Sequence, residues 1–134
     1  MVYNNSILHY RYYKSYKKIT VIGKKFSDLS KIKKLVRRST GIRTTEYIRA
    51  LGNAFRHGKL PVKCKLLFKK NHILIIIKDS GKGFNVKKVL KKFYAGKVYY
   101  NYHGLGIKTL LNSKSTEVTW NKSGNTIYLL RPIK

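Results

Sequence analysis

The residues of this 134-residue chain best suited to chemistry fall in three short stretches: Asn53-Ala-Phe-Arg-His57-Gly58, Asp79-Ser-Gly81-Lys-Gly83 and Gly104-Leu105-Gly106. The Asp79 carboxylate can accept a hydrogen bond from an amino group, and Gly81 and Gly83 let the backbone approach a flat ring without side-chain clash. At the start of a helix, Gly104 and Gly106 leave bare amides and a positive dipole end where phosphates bind. Taken singly, each stretch also reads as something ordinary: a strand-to-helix turn, a glycine-opened helix, a polar helix face.

The elements that must position them follow from hydrophobic periodicity. A strand is expected at Ile19 to Ile22. A helix capped by Ser27 runs to about Arg38, with Leu29, Ile32, Leu35 and Val36 at helical spacing, and Gly41 closes it. A second helix from about Thr44 to His57 turns Tyr47, Ile48, Leu51, Ala54 and Phe55 inward and ends at Gly58, with Arg49, Asn53 and His57 on its polar face. Val62 to Lys69 and His72 to Lys78 form a hairpin around Lys70-Asn71, with Ile73 to Ile77 as a buried strand. The Asp79 to Gly83 turn follows, then a short basic helix from Asn85 to Phe93, a flexible stretch from Tyr94 to His103, and a helix from Gly104 to Leu111. Strands at Thr116 to Asn121 and Thr126 to Leu130 close the chain around the Ser123-Gly124-Asn125 turn. This order predicts an α+β fold, a two-layer sandwich of one mixed, mostly antiparallel sheet with helices on one face.

In order and interval the three stretches resemble the GHKL, or histidine-kinase-like, ATPase superfamily. They are most similar to the anti-sigma-factor serine kinases, whose helix reads Asn-Ala-x-x-His-Gly and is followed by a hairpin, Asp-x-Gly-x-Gly, a lid and Gly-x-Gly. The resemblance spans roughly residues 18 to 132 and implies the Bergerat fold. It also implies ATP as ligand, with Asp79 accepting from the adenine amino group and Gly81, Gly83, Gly104, Leu105 and Gly106 around the nucleotide. Asn53 would be the magnesium ligand, its amide oxygen suiting that hard ion. One departure matters. The family's general-base glutamate lies four residues before this asparagine, where this chain has Arg49. An arginine stays protonated and cannot serve as base. Glu46, seven residues before Asn53, is the nearest substitute by sequence. No catalytic residue is therefore assigned, and nucleotide binding without turnover is expected.

Charge gives the second line of reasoning. Lysine and arginine total 31 against four acidic residues, a formal net charge of +27. Depletion of acids on this scale calls for a polyanion, and nucleic acid suits it. Residues 1–17 read as a basic, tyrosine-rich arm ahead of an ATPase domain at 18–134. Stacking and phosphate contacts to RNA are expected from Tyr12, Tyr13, Lys14, Lys17 and Lys18, and from Lys31, Lys34, Arg37 and Arg38 on the outer face of the first long helix. The longest apolar run, Ile73 to Ile77, is far short of the roughly 20 residues that span a bilayer, which argues against a membrane partner. Cys64 stands alone, so no internal disulfide forms. The polar N-terminus carries no secretory signal. The expected function is a structural component of a ribonucleoprotein, an organellar (mitochondrial) ribosome, with ribosomal RNA as partner. The alternative is an active anti-sigma-factor serine kinase, bound to a sigma-like protein in a bacterial cytoplasm.

Overall fold

The computed structural model describes residues 17–40, 45–69, 71–94 and 116–132. In chain order these form β1 (Lys17–Gly23), α1 (Asp28–Thr40), α2 (Thr45–His57), β2 (Val62–Phe68), β3 (His72–Lys78), α3 (Val86–Tyr94), β4 (Glu117–Trp120) and β5 (Thr126–Pro132). The five strands make one sheet in the order β1-β2-β3-β5-β4, and every pairing is antiparallel. The expected α+β architecture is therefore present, with three helices against an antiparallel sheet. Lys17, placed at the end of the arm by sequence, is the first residue of β1 and pairs with Phe68.

Alternation along the strands decides which face meets the helices. Cys64, Leu66, Ile73, Ile75, Ile77, Ile127 and Leu129 point to one side and pack with Ile32 and Val36 of α1, Tyr47, Leu51 and Phe55 of α2, and Val86 and Leu90 of α3. In each helix these residues recur at four-residue spacing, so one stripe faces the sheet, while Lys31 and Lys34 of α1 and Lys87, Lys88 and Lys91 of α3 are exposed. Leu35 and Ile48, expected to point inward, are half-buried at the margins of their stripes. The opposite side of the sheet carries its own apolar cluster of Leu67, Leu74, Tyr128 and Leu130, with Ile76 beside it. The central strand β3 thus buries apolar side chains on both faces, which is why its sequence runs apolar without a break.

One local detail differs from the sequence reading. The Ser27 side chain makes no hydrogen bond among the described residues, and the start of α1 is held instead by Asp28, whose carboxylate accepts from the backbone N–H groups of Lys24 at 3.0 Å and Lys25 at 3.3 Å. Those bonds, led by the Lys24 amide, hold the Asp28 carboxyl below its ordinary value. A carboxylate bonds an exposed N–H more strongly than a hydroxyl does, so the acid displaces the serine as the organising group.

Cys64 lies in the core of β2, where burial pushes its thiol up to about 12. Well below pH 9 the thiol is largely neutral in both folded and unfolded chains and pH matters little to it. As pH rises through 9 the unfolded chain loses the proton first, so this group's contribution to stability falls as pH rises toward 12. Native protein at pH 8 is accordingly expected to resist iodoacetamide and to be alkylated at Cys64 once unfolded in urea, as read by intact mass.

Candidate functional site

The β1–α1, α2–β2, β3–α3 and β4–β5 connections all leave the sheet at the same end, and a cleft of about 300 Å³ opens there. Its walls are Asn53, Ala54 and His57 of α2, Asp79 and Gly81 beyond β3, Phe84 before α3, and Trp120 and Asn125 at the β4–β5 turn. That size matches a nucleoside-sized ligand.

Asp79 is half-buried on the cleft wall. Its Oδ1 accepts from the Gly81 N–H at 2.7 Å, and its own N–H donates to the Asn125 carbonyl at 3.0 Å. Oδ2 takes no hydrogen bond among the described residues. A carboxylate with one oxygen committed to its own loop and the other left over is a positioned acceptor. The end of α2 presses directly on it. A Cβ at Gly58 would strike the Asp79 carboxyl carbon and lie 2.6 Å from the Ala54 carbonyl oxygen, so only glycine lets the helix end here.

The floor is formed where two turns interlock. Gly83 has φ of +79° and Gly124 φ of +80°. A side chain at Gly83 would run into the Ser123 carbonyl oxygen, and one at Gly124 would lie 2.5 Å from the Phe84 carbonyl oxygen. Asparagines fasten the turn. Asn121 Oδ1 accepts from the N–H groups of Gly124 at 2.9 Å and Thr126 at 3.1 Å, while its Nδ2 donates to Asn125 Oδ1 at 2.7 Å. Asn125 Nδ2 in turn donates to the Gly81 carbonyl at 3.2 Å, tying the β4–β5 turn to the Asp79 loop. Phe84 and Trp120 meet edge to face, with ring centroids 5.8 Å apart at 83°, and give the cleft an apolar wall.

Of the site residues read from sequence, Asn53, Asp79, Gly81 and Gly83 converge on this cleft. Asn53 is half-buried on its wall, and its amide makes no hydrogen bond among the described residues. Arg49 is exposed on α2, Glu46 is half-buried in its first turn, and neither lines the cleft. Gly104, Leu105 and Gly106 lie outside the described residues, as do Tyr12, Tyr13 and Lys14. Lys17 and Lys18 are exposed on the edge strand β1, with the Lys17 ammonium 5.5 Å from the Phe68 ring centre. Lys31, Lys34, Arg37 and Arg38 are exposed on α1. Among the cleft residues missed are Phe84, Trp120 and Asn125, and Asn121 was missed as the side chain that holds the β4–β5 turn. Ser123-Gly124-Asn125 was legible as a turn, but nothing in it announced which loop the turn would meet. His57 also reaches the cleft, and burial followed by the Arg56 charge lowers its pKa, leaving the imidazole neutral at pH 7.

Among the described residues no group of three histidine, cysteine, aspartate or glutamate side chains is placed to hold a metal, and no helix is long and apolar enough to cross a membrane. No protein-family model matches the chain, and no curated protein matches it significantly. Its class rests on its own geometry: an α+β protein with an antiparallel sheet, helices on one face, and a cleft at one sheet end.

Proposed function

We propose that this chain is an RNA-bound structural component of a ribonucleoprotein, an organellar (mitochondrial) ribosome, built on the histidine-kinase-like ATPase fold with a cleft that binds an adenine nucleotide without turning it over. The observation that carries the RNA reading is the net charge of +27, with Lys31, Lys34, Arg37 and Arg38 of α1 and Lys17 and Lys18 of β1 displayed to solvent. Cations so arranged bind a phosphate backbone by releasing its counterions.

The cleft supports the nucleotide reading because its residues fit the group. Asp79 Oδ2, without a hydrogen bond among the described residues, would accept from the adenine amino group, and the Phe84–Trp120 wall would supply apolar contact. Asn53 would provide the one protein oxygen to a magnesium ion otherwise held by phosphates, an arrangement common for that ion. When bound, the metal supplies charge neutralisation between phosphates. Arg49 stands one helical turn before Asn53 and cannot take a proton from an attacking hydroxyl. Exposed outside the cleft lining, its guanidinium suits a phosphate of RNA, and the absent base favours binding over phosphotransfer.

Fluorescence anisotropy with a labelled single-stranded RNA tests the reading. With about six phosphate contacts, affinity is expected to drop roughly a hundredfold or more between about 50 and 200 mM salt. Salt-insensitive binding, or transfer of phosphate from ATP to a protein serine, would return the kinase reading.

A further inference from the structure

Phe26 is a large hydrophobic side chain left in water at a place where the backbone is tightly held. It is 55% exposed, the most exposed large hydrophobic among the described residues. The turn that carries it is fixed from both sides. Asp28 Oδ2 takes the Lys24 and Lys25 N–H groups, the Asp28 N–H donates to the Lys25 carbonyl at 3.0 Å, and the Leu29 N–H to the Phe26 carbonyl at 3.1 Å. Phe55 meets the ring at 88° with centroids 6.3 Å apart, bracing it against α2. Lys24 and Lys25 precede it, both exposed and neither held in an ion pair among the described residues. The Gly23–Val62 register brings this turn beside the segment that carries Lys59, exposed at the mouth of the Asp79 cleft.

We infer that the β1–α1 turn is a base-stacking platform for single-stranded RNA, with the Phe26 ring under one nucleobase and Lys24, Lys25 and Lys59 on the flanking phosphates. The inference rests on the RNA-bound reading and places a contact site within it that the charge alone does not locate. A braced aromatic ring flanked by unpaired cations is the combination that binds single strands without regard to sequence, because every base has a flat face to stack. Bracing also reduces the freedom lost on binding, since the ring is already held before the base arrives.

The test uses the full chain and a labelled single-stranded RNA in anisotropy titrations. Phe26→Ala and Phe26→Leu are each expected to weaken binding about tenfold while Phe26→Tyr binds like the parent, since stacking needs an aromatic ring. Leucine keeps apolar contact with Phe55, so the Leu variant answers the question even if the Ala variant melts early. Replacing Lys24 and Lys25 together by glutamine should reduce the magnitude of the salt slope by about 1.4. If the parent binds RNA with a steep salt dependence and Phe26→Leu stays within twofold of it, the platform is overturned and the RNA reading survives. If the parent does not bind RNA, both fall.

Discussion

Gly83→Ala is expected to lower the thermal midpoint by roughly 10–20 °C, corresponding to about 3 kcal/mol in a domain of this size. The left-handed conformation at φ +79° contributes about 1–2 kcal/mol of that for any residue with a Cβ. The remainder comes from collision, because the new methyl would meet the Ser123 carbonyl oxygen and lie 2.7 Å from the Asn125 nitrogen, both main-chain atoms that cannot swing away. Gly83→Asn separates the two causes. Asparagine tolerates positive φ but carries the same Cβ, so it should recover only part of the loss. Lys82→Ala, one residue earlier and exposed, should stay within about 0.5 kcal/mol of the parent. Circular dichroism melts of the three variants give the order directly.

The second large effect is on ligand binding. Asp79→Asn keeps an oxygen for the Gly81 N–H, so the loop should hold its shape and the melting midpoint should change little. The other position becomes an amino group, which donates where the carboxylate accepts. Two donors then face each other across the cleft, and binding of an adenine nucleotide should weaken about 30- to 100-fold, the worth of a hydrogen bond to a charged group plus the donor left unpaired. Titration calorimetry with ATP and magnesium measures the change. Equal affinity in parent and variant would remove Asp79 from the site.

Much of the fold was legible because apolar periodicity is a direct record of burial. Leu29, Ile32 and Val36 marked one helix, Tyr47, Leu51, Ala54 and Phe55 a second, and Ile73 to Ile77 the central strand. Legibility stopped where a residue's role depends on distant chain. Trp120 and Phe84 read as two separate aromatics and become one wall only when the β4–β5 turn folds onto the loop before α3. Asn121 read as the end of a strand and Asn125 as part of a turn, and the bond from Asn125 to the Gly81 carbonyl joins residues 44 positions apart. The apolar face of Leu67, Leu74, Tyr128 and Leu130 was hidden for a different reason: its residues alternate with a helix-facing set that is equally apolar, so no period separates them. Asp79 was found because an acid is rare in this chain and its glycine spacing is distinctive. Phe26 was not, since the exposure of a single aromatic leaves no trace in its neighbours.

Sedimentation of native extract through a sucrose gradient, with and without ribonuclease, tests the central claim most directly. A ribonucleoprotein subunit is predicted to travel with ribosomal particles in moderate salt and to move to the light fractions after ribonuclease treatment. A chain that stays in the light fractions without ribonuclease, in company with a single protein partner, would contradict the account.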